Sequence, residues 1–192
     1  IKEVLSLRYC PSLDVDKKKI DANDFVPEEK SNYLQHIENS ISLVINNEIN
    51  EQHVSVALSG GVDSTLVMAL LRKMKPEIKI DAISLKFADS VDETEIATNI
   101  ANKFNAEHHI ISIGNFLEDL PKAISIVKMP FWDTHWYHIV KTASKFSTSL
   151  VSGDGGDELF GGYTFRYKKF LINFNSNMTP LDRTKLYLEC HE

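Results

Sequence analysis

Two short loops hold most of the residues that could do chemistry. The first runs Ser59-Gly60-Gly61-Val62-Asp63-Ser64 and follows directly on the β-prone run His53–Leu58. A strand, a pair of glycines and a helix start together make an anion-binding turn. Gly60 and Gly61 let the backbone close in on a ligand. The free N–H groups of the first helical turn, with the helix dipole, attract negative charge. Ser59 and Ser64 add hydroxyl donors. In the phosphate loop that ends Gly-Lys-Ser/Thr, a lysine neutralises the phosphates. Here Asp63 stands in that place. Two anions share a site only with a cation between them, so Asp63 implies Mg²⁺. The competing explanation is a glycine turn capped by Asp or Ser.

The second loop starts at Ser152 and reads SGDGGDELFGGY to Tyr163. Asp154, Asp157 and Glu158 place three carboxylates within five residues, among glycines that leave room for a ligand. Asp157 facing Asp63 would complete the Mg²⁺ site. Ser152 and Gly153 would reach an α-phosphate and a ribose. A Ca²⁺ loop is the rival for so many acids, but the spacing does not follow the EF-hand pattern.

Elements of alternating type must hold these loops. Tyr33, Ile37, Ile41, Val44 and Ile45 recur at helical spacing, which predicts a helix from about Pro27 to Asn47. The run HVSVAL predicts a strand, Thr65–Met74 a helix, KIDAISLKF a second strand and Asp92–Phe104 a second amphipathic crossover helix. HHIISI reads as a third strand, Phe116–Val127 as a helix, 134–146 as a helix, TSLVSG as a fourth strand, and the tail from Phe165 as helical. Such alternation implies βαβ crossovers and a mostly parallel sheet. The apolar strands suit a sheet covered on both faces. The expected fold is therefore a three-layer α/β/α, Rossmann-like arrangement with a helical C-terminal part. In such sheets ligands lie beyond the carboxyl ends of the strands. Both loops follow strands, so both should open onto one crevice.

With these residues in view, the chain resembles known proteins. SGGVDS matches the SGGxDS signature of the ATP-pyrophosphatases, which split ATP between the α- and β-phosphates. SGDGGDELFGGY narrows the resemblance to the synthetase domain of the asparagine synthetase family, and VDETEIATNIANKFNAEHHII resembles the segment between its two loops. The resemblance runs from about Glu29 to the end. It implies ATP and Mg²⁺ as cofactors, with Mg²⁺ on Asp63 and Asp157. It assigns ATP and pyrophosphate binding to Leu58, Ser59, Gly60, Gly61, Asp63, Ser64, Leu85, Ser152 and Gly153. Leu58 and Leu85 would offer backbone contacts to adenine, although Leu85 serves equally as core. Asp154 takes the catalytic place of an acid that handles protons as the amine attacks; many relatives have Glu there. Lys86 departs from a family glycine.

The implied reaction adenylates a carboxylate, by resemblance the aspartate β-carboxyl, and passes ammonia to it, releasing AMP and pyrophosphate. The alternatives are a ligase for another acid and a non-catalytic ATP-binding partner or regulatory subunit. Residues 1–28 read as a lead-in, and 29–192 as the synthetase domain, expected to be truncated. The family's downstream catalytic lysine and its N-terminal cysteine glutaminase have no counterpart in this stretch. Free ammonia or a separate glutaminase subunit would supply the nitrogen. A homo-oligomer is compatible with the sequence.

Other residues are less telling. His108 and His109 are neighbours on a predicted strand and so point to opposite faces. His135 and His138 are spaced i, i+3, but no carboxylate pair completes a metal motif, and packing is expected. Asp133, in FWDTHWY, is either a contact to the substrate amine or part of an aromatic lining. Tyr167, Lys168 and Lys169 read as a solvated helix face. The net charge of −6 argues against nucleic acid. No stretch reaches the ~20 apolar residues of a membrane span. The two cysteines, Cys10 and Cys190, lie far apart and suit free thiols in a reducing cytoplasm.

Overall fold

The computed structural model describes residues 22–24, 31–87, 92–127 and 135–190. The described residues form two compact units, one over His36–Asp154 and the other over 22–24, 31–35 and 155–190. Most of the predicted lead-in over 1–28 lies outside the described residues, apart from a 3-10 turn at Ala22–Asp24.

The first unit is an α/β layer structure. Its strands are β1 (His53–Ala57), β2 (Lys79–Phe87), β3 (Glu107–Ile113) and β4 (Leu150–Val151). They pair in the order β3-β2-β1-β4, all parallel. The helices are α1 (Tyr33–Glu48), α2 (Val62–Met74), α3 (Thr94–Lys103), α4 (Leu120–Val127) and α5 (His135–Ala143). From α1, α2 and α3, the side chains of Ile45, Met68, Leu71, Ala97 and Ala101 pack against Val54, Val56, Leu58, Ile80 and Ala82 on one face of the sheet. On the other face, Ile139 and Ala143 of α5 pack against Ala57 and Ile83. This is the predicted three-layer arrangement.

Strand order decides where a ligand can sit. The chain lays down β1, β2 and β3 in one direction, then returns to place β4 on the far side of β1. The connections therefore part between β1 and β4, and that switch point is where parallel sheets open a crevice at their carboxyl ends. Arg72 near the end of α2 braces the opposite turns. Its guanidinium donates to the carbonyls of Pro76 (2.6 Å), Ile78 (2.8 Å), Phe104 (2.8 Å) and Asn105 (3.0 Å). Asn105 takes a left-handed φ of 51° just after α3, a conformation asparagine tolerates.

Several elements differ from their expected bounds. The predicted helix over 116–127 is a 3-10 turn at Phe116–Glu118, capped by the Asn115 side chain, followed by α4. Pro121 lacks an N–H and suits the first turn of a helix, not its middle. The fourth strand shrinks to Leu150–Val151, because only Ser55 and Val56 of β1 lie in register with it. β3 is an edge of the sheet, so its Ile110 is half exposed, while residues 54–57 of β1 and 80–84 of β2 are buried.

The second unit contains α6 (Gly156–Phe160), α7 (Thr164–Asn173) and α8 (Pro180–Glu189). The tail is helical, as expected, and forms two helices. A turn at Asn175–Met178 ends α7, and Thr179 with Pro180 starts α8: the Thr179 hydroxyl accepts from Asp182 N–H at 3.2 Å. The rings of Tyr167, Phe170 and Tyr187 hold α7 to α8. Lys168 and Lys169 are exposed, as expected, while Tyr167 is half-buried. Cys190 is a buried free thiol, and Cys10 lies outside the described residues.

Candidate functional site

The loop after β1 is set by its own hydroxyls and glycines. Gly60 has φ 84°, a left-handed value that favours glycine. A Cβ there would come within 3.4 Å of Ile96 Cγ2 on α3. Ser59 Oγ accepts from Gly61 N–H at 3.2 Å and lies 3.1 Å from Ser64 Oγ. Ser64 Oγ also accepts from Ser59 N–H at 3.3 Å. Gly61 is the N-cap of α2 and gives it no side-chain cap. The helix therefore starts with its own N–H donors uncovered by a side-chain acceptor, as an anion site requires. Asp63 is half-buried in that first turn, and Val62 beside it is exposed.

The loop after β4 reaches this turn. A Cβ on Gly153 would lie 2.6 Å from Ser64 N, 2.8 Å from Asp63 C and 2.9 Å from Asp63 Cβ. Only glycine fits there, because the neighbour is backbone. Ser152 is half-buried beside it, and its hydroxyl accepts from Asp154 N–H at 3.4 Å. Asp154 is exposed. The structure therefore brings Ser59, Gly60, Gly61, Asp63, Ser64, Ser152 and Gly153 to one place, at the switch point between β1 and β4.

Leu58 is buried; its N–H donates to Ile83 O at 2.9 Å and its carbonyl accepts from Ser84 Oγ at 2.5 Å. The carbonyl's second lone pair is what it has left to offer. Leu85 is half-buried and packs with Ala57 and Ile83, the core role that its position also allowed. Lys86, at the place of the family glycine, holds Asp92 Oδ2 at 2.5 Å. That contact, with the hydroxyl and N–H of Thr94, lowers the Asp92 carboxyl to about 2.

Asp157 and Glu158 belong to the second unit, in the first turn of α6. The Asp157 carboxylate lies over Gly162, where a Cβ would overlap its Oδ1. Tyr163 donates to Glu158 Oε1 at 2.6 Å. Asp133 lies outside the described residues.

His108 and His109 do face opposite ways. His108 lies 2.9 Å from Thr98 Oγ1 and 2.8 Å from Ser84 Oγ, whereas His109 Nε2 lies 2.5 Å from Asp81 Oδ1. Burial, with the charge of His109, holds the His108 pKa below its ordinary value. His138 Nε2 is buried and stands 3.6 Å from Asp119 Oδ2, just beyond hydrogen-bond reach. The seats of Gly60 on Ile96 and of Gly153 on Ser64 were not predicted. Each joins residues far apart in sequence, and only the glycines themselves signal a close approach.

Known proteins share much of this chain's sequence pattern and fold. The family model described as Asparagine synthase matches residues 46–188. A putative glutamine-hydrolysing asparagine synthetase 2 of Methanocaldococcus jannaschii is 33% identical over 126 residues, covering 63% of this chain and 24% of that protein. The glutamine-hydrolysing asparagine synthetase 1 of Bacillus subtilis is 31% identical over 111 residues, covering 55% of this chain and 17% of that protein. The chain thus spans about a quarter or less of these curated relatives. Among solved structures, the glutamine-dependent NAD⁺ synthetase of Acinetobacter baumannii in complex with ADP aligns with a TM-score of 0.53 at 16% identity, over 71% of this chain and 28% of that one. That likeness concerns the fold alone. No helix among the described residues is long and apolar enough to cross a membrane.

Proposed function

The chain belongs to the asparagine synthase family, and on that premise we propose that it carries the nucleotide site of an ATP-dependent, amide-forming ligase. The observation that carries this reading is the seat of Gly153 on the Ser64 amide. It joins the loops after β1 and β4 into one cradle for phosphates, at the place where a parallel sheet takes a nucleotide. In this reading the triphosphate lies on Ser59–Ser64, held by the N–H groups of the first turn of α2 and by the two serine hydroxyls.

The finer proposal follows the family. A carboxylate, that of aspartate's side chain, attacks the α-phosphorus and pyrophosphate leaves. Ammonia then attacks the acyl-adenylate carbonyl, and AMP leaves. Ser152 and Gly153 would position the α-phosphate, with backbone contacts from Leu58 and Leu85 to adenine. Asp154, exposed at the mouth of the first-unit loops, would take the proton that the amine loses. Asp63 is a half-buried carboxylate, the oxygen donor a hard cation takes, while the uncapped N–H groups beside it suit the phosphates. By the family resemblance, Mg²⁺ would take Asp63 as a ligand and would neutralise charge on the leaving pyrophosphate. The protein's own contribution is positioning and electrostatics, with no covalent nucleophile.

The test is pyrophosphate release by the full-length gene product with Mg·ATP, aspartate and ammonium, with AMP followed in the same reaction. Formation of both products only when aspartate is present supports the whole reading. Both products with another acid keep the ligase and replace the substrate. ATP binding without turnover on any acid favours a non-catalytic nucleotide-binding subunit.

A further inference from the structure

A second group of ionisable side chains sits at the amino ends of the strands, away from the phosphate cradle. His53 opens β1, Asp81 is near the start of β2, and Glu107 and His109 begin β3. The register pairs Ser55 with Asp81 and Asp81 with Glu107. His53 is two residues before Ser55 and His109 two after Glu107, so all four project from the face that carries α5.

Their arrangement is convergent. Asp81 is fully buried. Its Oδ2 pairs with His53 Nε2 and its Oδ1 lies 2.5 Å from His109 Nε2. Burial pushes the Asp81 carboxyl up, but the two histidine contacts and the charge of Lys79 bring it below its ordinary value. One ligand atom each from Asp81, Glu107 and His109 falls within 4.8 Å of the others. Phe146 stacks on the His109 ring at 4.3 Å between centroids and fixes its plane. The solvent side is open, since Glu107 is 60% exposed and Lys79 57%.

We infer that Asp81, Glu107 and His109 form a site for a divalent metal of the zinc type, with His53 holding the other oxygen of Asp81. One imidazole and two carboxylates make a mixed N/O set. Such a set selects a borderline transition metal over Mg²⁺ or Ca²⁺, which take oxygen donors. Ligands on a tetrahedral Zn²⁺, at about 2.0–2.2 Å from the ion, stand roughly 3.4 Å apart. The three ligand atoms need to draw together by at most about 1.4 Å to reach that spacing. In the metal-free chain Lys79 Nζ takes the cation's place, 3.5 Å from Glu107 Oε2 and 4.0 Å from Asp81 Oδ2. Metal entry displaces that ammonium into solvent. The bound ion ties the starts of two adjacent strands, β2 and β3, so its effect is on stability. The inference does not rest on the nucleotide reading, because it uses none of the same residues.

The test uses the metal-stripped protein and Zn²⁺ alone, by calorimetric titration and by the thermal midpoint with and without Zn²⁺. One equivalent should bind and raise the midpoint, as any ligand of the native state does. His109→Gln and Glu107→Gln should each weaken binding by at least about the tenfold that outer-shell losses cost. Asp63→Asn should leave Zn²⁺ binding unchanged, and Lys79→Met should tighten it. Glu107 is exposed, so its variant keeps the test valid if His109→Gln fails to fold. Zn²⁺ uptake that is absent, or equal in the parent and the Glu107→Gln variant, would overturn the site.

Discussion

Replacing Gly153 by alanine tests the joining of the two loops. The added Cβ would stand 2.6 Å from Ser64 N and 2.8 Å from Asp63 C. Ordinary contact with such atoms begins near ~3.4 Å, so the β4 loop and the first turn of α2 must part by about 0.8 Å. Neither partner is the free end of a flexible side chain; both are backbone. Overpacking of this kind costs ~1–3 kcal/mol. The displaced atom is a cradle amide, and a ~1 Å misplacement in a reacting site costs on the order of a hundredfold in rate. Gly153→Ala should therefore lower the thermal midpoint modestly and impair Mg·ATP binding and pyrophosphate release severely. Gly114→Ala is the matched control. Its Cβ meets nothing within 4 Å, so stability should stay within about 0.5 kcal/mol. Calorimetric titration with Mg·ATP and a melting curve on both variants decide the matter. A Gly153→Ala protein with parental nucleotide affinity would refute the joined cradle.

Other substitutions separate the site from the scaffold. Arg72→Met removes donors from four carbonyls. It should cost about 2–3 kcal/mol in chemical denaturation, while nucleotide affinity of the folded protein stays unchanged. Asp63→Asn should do the reverse. Mg·ATP binding should weaken by about tenfold or more by calorimetry, while stability changes by only the ~0.3–1 kcal/mol of a charge at a helix N-terminus. The Asp92 carboxyl, held by Lys86 and Thr94, should titrate near 2 by NMR, and Lys86→Met should move it up toward 3.8. Because its folded pKa is depressed, the stability it contributes is present above its ordinary value. That stability is lost as pH falls from about 4 through about 2, and Lys86→Met should flatten this part of the acid-unfolding profile.

The layer structure was legible because it rests on local patterns. Val54, Val56 and Leu58 declare a buried strand, and Met68 and Leu71 sit at helical spacing on the face that packs on it. Loop glycines announced the cradle for the same reason: a strand, a glycine pair and a helix start lie within a dozen residues. What stayed hidden depends on register. Asp81 in KIDAISLKF looks like a polar interruption of an apolar strand. Only the pairing of β2 with β1 and β3 shows that His53 and His109 both reach it. Lys86 looked like a defect in an adenine pocket. It is the partner of Asp92, which accepts from the backbone of Thr94 at the start of α3.

The buried polar residues divide by position along the strands, and that division has a physical basis. At the carboxyl ends, the Ser64 hydroxyl is satisfied within its own loop by Ser59 and Gly61, and the N-terminus of α2 has no side-chain cap. At the amino ends, Asp81 is buried with no exposure and has to be satisfied by the chain itself. An unpaired buried carboxylate would cost several kcal/mol. The two histidines and Lys79 are its compensation. A parallel sheet points all its strands one way, so every crossover helix begins at the same end and the anion-attracting groups gather there. The opposite end has no such donors to offer. A carboxylate buried there must draw its partners from side chains on neighbouring strands, and imidazoles on β1 and β3 are within reach of β2 only because the three strands start in near register. His109, which satisfies Asp81, is thus also a ligand in the proposed site, and Zn²⁺ binding to the Glu107→Gln protein distinguishes a self-satisfied carboxylate from an ion site.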